Sequence, residues 1–309
     1  DTTGLLKGDC PFDEDVMFAE MVARRLDIKL HQVDLSDPYR RRVVDYMFEE
    51  YSRGRTPNPD VLCNREIKFD SFATEAFRLG ADYIATGHYC RKETIEKDGV
   101  KIYRLLAGTD GNKDQSYFLC QVNQQQLENA LFPIGHLTKP EVRKIAEELG
   151  LATASRKDSQ GICFVGKVDL PVFLQQKLEA KTGRLITIPP DFKLKKWDDG
   201  LPEPSAATEV LEEMSSPHIY SPADGKTAGK HNGAHFYTIG QRKGLNVGGT
   251  KEPLFVIATD VVNNIVYTGE GQSHPGLHRK GLFISSDEIH WIRPDKEMAA
   301  GEYRDYMVR

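Results

Sequence analysis

Long apolar runs are missing from this sequence. Nowhere in its 309 residues is there a stretch near the about eighteen apolar residues that a membrane-spanning helix requires, so an integral helical membrane protein is excluded. No basic segment followed by an apolar one opens the chain, so the sequence shows no signal peptide. Cysteine is scarce: five residues, an odd count too sparse for a disulfide scaffold, point to a reducing, cytoplasmic setting. A surplus of positive charge is lacking too. Lys and Arg number 41 against 46 Asp and Glu, a net −5, so any nucleic-acid surface has to be a local patch. The chain opens at Asp1-Thr2-Thr3 without a methionine. It stops at Met307-Val308-Arg309, just after a Glu302–Tyr306 run that reads as the middle of a strand. A fragment is expected. What remains, 39% hydrophobic and 28% charged, is the composition of an ordinary globular chain of two or three domains.

Helix and strand signals alternate through the first half. Val16, Ala19, Ala23 and Leu26 predict a helix over Phe12–Leu26, and Ile28–Leu35 reads as a strand. Asp37-Pro38 looks like an N-cap with proline at the first helical position, ahead of a Val43, Met47, Tyr51 stripe that ends at Gly54. A third helix is expected over Ile67–Leu79, and a short apolar strand over Asp82–Thr86 runs into Gly87-His88. Asp98-Gly99 predicts a hairpin between Glu93–Lys97 and Val100–Arg104. Thr138 and Glu141 form a capping box ahead of Val142, Ile145, Ala146 and Leu149. Such alternation predicts an α/β fold with a parallel sheet.

The character changes near Gly166. A short helix is expected over Leu170–Leu178, and Pro189–Pro222 reads as a long insertion or loop. Strands are predicted at Leu254–Ala258, Ile265–Thr268 and Gly281–Ile284, with Asn263-Asn264 as a turn, suggesting a small β-barrel or sandwich.

Four segments carry candidate chemistry. Cys63 follows Asn58-Pro59-Asp60, just before the helix expected near Ile67. There a dipole would stabilise a thiolate, and Asp60 could exchange a proton; the competing reading is a buried core cysteine. Cys163 lies in Lys157–Gly166, a loop preceded by Arg156-Lys157, with the same two readings open. Neither has the spacing of a zinc site, which leaves a redox or sulfur-carrying pair as the chemical alternative. Cys10, Cys90 and Cys120 have no chemical context and read as structural. Thr86-Gly87-His88-Tyr89 ends a predicted parallel strand, where open α/β sheets bind ligands; His88 could bond or stack on a base, or be an ordinary surface residue. Gly225–Lys251 holds five Lys/Arg, two His, seven Gly and no acid, which suits either RNA phosphates or a solvated loop.

Together these segments resemble one family, the tRNA-specific 2-thiouridylases and their mitochondrial relative. Arg55–Asn64 with Glu66–Phe69, Gly80–Tyr89, Lys113–Leu119, Lys157–Phe164 and Thr238–Leu245 occur in that family's order across nearly the whole chain. The resemblance implies a PP-loop ATP-pyrophosphatase domain over residues 1–166 and a central tRNA-binding domain over 167–250, with an insertion near 190–224 that has no assigned role. A C-terminal β-barrel over 251–309 would follow. It implies ATP with Mg2+ adenylating the wobble-uridine C2 oxygen, a persulfide on Cys163 supplying sulfur, and Cys63 closing a catalytic disulfide with it. Asp60 resembles the acid/base, Gly87 an ATP contact, and Asn58, Pro59 and Asp60 the residues around the target base. His88, Lys113, Asp114 and Gln115 resemble tRNA contacts, and Arg242 and Lys243 are expected on tRNA phosphates. Implied partners are tRNA and a cysteine desulfurase or sulfur-relay protein. The family's Ser-Gly-Gly-Val-Asp-Ser-type phosphate loop is absent from this sequence, and so, by expectation, are the family's last strands. The chain itself is therefore expected to be inactive and unable to hold ATP. Two alternatives stay open: a non-catalytic tRNA-binding polypeptide, and another ATP-pyrophosphatase acting on a small acid.

Overall fold

The computed structural model describes residues 12–156, 170–192, 208–279 and 281–308. The chain divides into two compact units: Asp1–Tyr46, Asn58–Val168 and His290–Arg309 make the first, Met47–Pro57 and Asp169–Ile289 the second.

In the first unit, α1 (Phe12–Leu26) has the predicted bounds, with Asp13, Glu14 and Asp15 in its first turn and Arg24 and Arg25 in its last, each at the favourable end of the dipole. The strand expected at Ile28–Leu35 does not form. Its backbone finds no ladder partner among the described residues, and Ile28 stays 59% exposed. A helix follows as α2 (Ser36–Tyr39), a wider i→i+5 winding at Arg40–Val44, and α3 (Asp45–Ser52), which from Met47 onward is counted with the second unit. It starts one residue ahead of the expected cap. Leu35 holds that position, and Asp34 Oδ1 accepts from the Ser36 N–H at 2.9 Å. Val43, Met47 and Tyr51 are buried as their spacing predicts. Next come α4 (Pro59–Leu62), a second i→i+5 stretch at Cys63–Ser71, and α5 (Phe72–Arg78). The parallel sheet consists of β1 (Ile84–Ala85) beside β4 (Ala130–Leu131). Between them in sequence lies the antiparallel hairpin of β2 (Cys90–Lys97) and β3 (Val100–Ala107), closed by Asp98 and Gly99 at φ 53° and 77°. Then come α6 (Gln124–Glu128) and α7 (Lys139–Glu148), the latter begun by the Thr138–Glu141 capping box. Phe69, Ile84, Cys90, Leu119, Leu127 and Phe132 form the core here. Residues 290–309 return to this unit: His290 Nε2 meets Val122 O at 2.9 Å, and Gln124 Nε2 donates to Ile292 O at 2.6 Å.

In the second unit, α8 (Leu170–Leu174) precedes β5 (Gly183–Ile188), α9 (Thr208–Ser215), β6 (Lys226–His231), β7 (Leu254–Asp260) and β8 (Ile265–Glu270). The sheet runs β6-β5-β8-β7, with β5 and β8 parallel and the outer pairs antiparallel. Alternate side chains enter opposite faces: Leu185, Val256 and Val266 pack on one, Ile186, Ile257, Ile265 and Tyr267 on the other. Because both faces are covered, β5, β7 and β8 read as apolar runs rather than alternating ones, while the edge strand β6 does not. The boundary expected between residues 250 and 251 falls inside this sheet. Three other expectations are corrected. Part of the Pro189–Pro222 loop is the helix α9, while Gly281–Ile284 and Glu302–Tyr306 form no strand; Leu282 and Phe283 are 76% and 59% exposed, with no ladder partner among the described residues.

Candidate active site

Asn58 starts the helix that carries the first cysteine. Its backbone is extended, Pro59 takes the first helical position, and its side-chain Oδ1 accepts from the Asp60 and Val61 N–H groups at 3.2 and 3.3 Å. The helix therefore begins at Pro59 rather than near Ile67, and Cys63 does not precede it. Cys63 sits inside, beyond the first turn where the dipole acts, at 0% exposure. The dipole argument fails for this residue, and the buried-cysteine reading describes its surroundings. Asp60, in that first turn, keeps a buried Oδ1 with no hydrogen-bond partner among the described residues. An uncompensated buried carboxylate oxygen is costly, and it is the kind of atom a substrate proton would satisfy. Cys163 lies outside the described residues, as does the Lys157–Gly166 segment.

Behind Cys63 the helix widens to i→i+5 bonding, a winding frequent at functional sites. Asn64, 1% exposed, donates through Nδ2 to Phe118 O at 2.9 Å and accepts from Lys68 Nζ at 2.9 Å. Lys68 then lines a cavity of about 490 Å³ with Val33, Leu35, Gly87, His88 and Gln115. That size falls within the roughly 300–1,000 Å³ of small-molecule sites.

Gly87 and His88 follow β1 at the C-terminal end of the parallel pair, where such sheets place ligands. His88 Nδ1 lies 2.8 Å from Thr86 Oγ1, and its ring sits 6.3 Å from both Phe69 and Phe132. At 8% exposure the ring has little free face on which a base could stack. Burial, and secondarily the Lys68 charge, depress its pKa to about 4, so it is a neutral imidazole at pH 7.

The Lys113-Asp114-Gln115 segment is mostly occupied with its own loop. Asp114, buried, accepts from the Gly108 N–H at 2.7 Å and from Ser116 Oγ at 2.9 Å. Gln115 exchanges two bonds with Tyr89: its N–H donates to Tyr89 O at 3.0 Å, and its Oε1 accepts from the Tyr89 N–H at 3.1 Å. This pins the loop to the residue after His88. Lys113 is half-buried.

In the second unit the basic window divides. Lys226–His231 is the edge strand β6, where lysines discourage edge-to-edge pairing, and His231 is buried. Arg242 and Lys243 are exposed in a turn tied to β7, because the Gly240 N–H donates to Val256 O at 2.7 Å and the Val256 N–H to Gln241 O at 3.0 Å. A turn anchored in this way presents its two cations on a fixed base. No group of His, Cys, Asp and Glu suited to a metal ion exists among the described residues. Reading the sequence missed the roles of Asn64 and Lys68; their i, i+4 spacing behind Cys63 was the available signal.

Residues 2–167 match the family model described as a tRNA methyl transferase HUP domain, and residues 208–270 that of a tRNA methyl transferase PRC-barrel domain. The chain is 55% identical, over its whole length and 78% of the relative's, to a tRNA-specific 2-thiouridylase of Flavobacterium johnsoniae. It is 56% identical to the protein of that name from Christiangramia forsetii, covering 98% of this chain and 76% of the other. A third so named, from Karelsulcia muelleri, is 43% identical over 93% of this chain and 73% of its own length.

Proposed function

The chain belongs to the tRNA-specific 2-thiouridylase family, and from that premise we propose that it replaces the C2 oxygen of a tRNA wobble uridine with sulfur at the expense of ATP. One observation carries the reading. The Asn58-Pro59 cap sets a carboxylate with an unsatisfied buried oxygen, Asp60, three residues ahead of the wholly buried Cys63, in the unit that also holds the cavity. The family models are described in terms of methyl transfer and the relatives in terms of thiolation. Sulfur transfer is favoured because the relatives match along the entire chain and because a cysteine pair gives sulfur a carrier.

In this reading Asn58, Pro59 and Asp60 surround the target base, and Asp60 moves a proton at it. A wobble base is already partly unstacked in its loop, so drawing it into a pocket costs little. ATP, bound with Mg2+ on its phosphates, supplies a leaving group at the C2 oxygen. The adenosine contacts fall to Gly87 and the cavity walls. The terminal sulfur of a Cys163 persulfide, delivered by a cysteine desulfurase or relay protein, forms a bond to C2 as the C2–O bond breaks and AMP departs. The Cys63 thiolate then attacks Cys163 Sγ, the persulfide S–S bond breaks, C2 keeps the sulfur, and a Cys63–Cys163 disulfide remains. His88, Lys113, Asp114 and Gln115 serve tRNA recognition, Asp114 and Gln115 by holding their loop in shape, and Arg242 and Lys243 meet phosphates.

The test is nucleoside mass spectrometry on tRNA treated with the chain extended to the length of its relatives. Cys63→Ser and Cys163→Ser are each expected to give no 2-thiouridine, whereas Cys90→Ser and Cys120→Ser, if folded, retain activity. Thiolation by Cys63→Ser at the parental rate would overturn the assignment.

A further inference from the structure

We infer that Lys68 is the phosphate-binding cation of the cavity, and that it takes the phosphate of a bound nucleoside monophosphate. The inference rests on the reading above, and deepens it by naming a residue to which no role has yet been given.

Among the described residues Lys68 has no carboxylate counter-ion. Its hydrogen bond is to a neutral amide, Asn64 Oδ1, at 2.9 Å. The two nearest carboxylates in sequence are engaged elsewhere: Asp70 with Arg42, and Glu66 with both Arg42 and Arg65. The Asn64 amide is itself fixed by donating to Phe118 O, so the ammonium is held by a chain of neutral groups that positions it without neutralising it. Around it the cavity offers apolar walls at Val33, Leu35 and Ile67, the exposed Gly87 backbone and the His88 ring. No carboxylate is among its described lining residues. An apolar pocket with one convergent cation and no acid suits a ligand with a flat apolar body and an anionic end, which is the chemistry of a nucleotide.

The unusual winding matters here. Between Cys63 and Lys68 an α-helix would turn about 500°, leaving the two side chains roughly 140° apart. With i→i+5 bonding at about 4.4 residues per turn the same five residues turn about 410°, leaving roughly 50°. The wider helix therefore brings the lysine round toward the face that carries the cysteine. A phosphate held by Lys68 is on the side of the helix where sulfur transfer is proposed, and AMP is the group that leaves there.

A backbone phosphate of tRNA would satisfy the same ammonium, and the experiment separates the two sources. Binding of AMP and of adenosine to this chain is measured by calorimetry for the parent, Lys68→Met and Lys68→Arg, with thermal unfolding as the control for folding. The parent is expected to prefer AMP over adenosine by about tenfold or more, the size of one charge-assisted hydrogen bond. Lys68→Met should lose that preference while binding adenosine as before, and Lys68→Arg should keep most of it. An AMP preference unchanged in Lys68→Met overturns the inference, as does a parent that binds AMP no better than adenosine. Loss of tRNA affinity in Lys68→Met with the AMP preference intact also overturns it and assigns the lysine to the tRNA backbone. Thiolation surviving in Cys63→Ser would sink the sulfur-transfer reading without altering any of these ratios.

Discussion

The two units solve the burial of a sheet differently. In the second, four strands pair along most of their length, and both faces are covered: Leu185, Ile186, Ile188, Val256, Ile257 and Val266 are each 1% exposed or less. Glycines let chains close to contact. A Cβ on Gly183 would stand 2.2 Å from Asn264 O and 2.4 Å from His231 Cε1. In the first unit the parallel pair is two residues long on each strand, the 28–35 segment has no ladder among the described residues, and Leu30 and Tyr83 are 39% and 56% exposed. Yet the cavity lined by Lys68 and His88, the capped cysteine helix and the histidine whose pKa is depressed to about 4 belong to that first unit. Close packing leaves no room for a ligand within the sheet itself; the second unit's own cavity, about 430 Å³, is lined by Glu212, Arg279 and Phe283 and, among the described residues, by no strand residue.

The largest effect that would break this contrast comes from the glycine. Gly183→Ala is expected to destabilise the second unit by about 3 kcal/mol, since the backbone oxygen and the ring it meets have no free space. Gly111→Ala, with nothing within 4 Å, should stay within about 0.5 kcal/mol. Equal urea midpoints for the two variants would show that packing tightness does not distinguish the units.

Next in size is His88. Its pKa in the fold, about 4, lies below its ordinary 6.5, so the folded state resists protonation that the unfolded chain accepts. Its contribution is fully present above pH 6.5 and is lost as pH falls toward 4. Between pH 7 and 5 the loss is about 2 kcal/mol. Burial also depresses His231 and His235 in the second unit, so the parent's total slope is shared. The His88→Gln variant should flatten the parent's pH dependence of urea stability by that amount, and an identical slope would mean the ring is not protected.

Smaller still is the cap. Asn58→Ala removes the acceptor for two helical N–H groups and should cost about 1 kcal/mol, with faster amide exchange at Asp60 and Val61. Protection unchanged at those amides would mean the cap does not hold the cysteine helix in place. The least effect on folding is expected from Arg242→Ala with Lys243→Ala. Stability should move by less than about 0.5 kcal/mol, while the salt dependence of tRNA binding drops by roughly two charges. An unaltered salt slope would make that turn an ordinary solvated loop.

What the sequence determined by itself was local. The bounds of α1, the Asp98-Gly99 hairpin, the Thr138 capping box and the Asn263-Asn264 turn, where Asn264 has φ 56°, all rest on groups a few residues apart. The ordered segments Arg55–Asn64 through Thr238–Leu245 also made the family legible, because motif order survives without any knowledge of contacts. Tertiary structure decided everything that depends on distant partners. The ladder joining Arg184 to Lys230 on one side and to Ile265 on the other made a strand of a segment to which the sequence assigned none, and 28–35, expected as a strand, finds no such ladder among the described residues. Cys63 was expected ahead of a helix and lies buried within one; His88, read as a base contact or an ordinary surface residue, is enclosed by Phe69 and Phe132. The role proposed for Lys68 rests on the cavity it lines together with Val33, Gly87 and Gln115. Burial and strand pairing are supplied by residues far along the chain, and the free energy of a charge or a thiol depends on that supply more than on its neighbours in sequence.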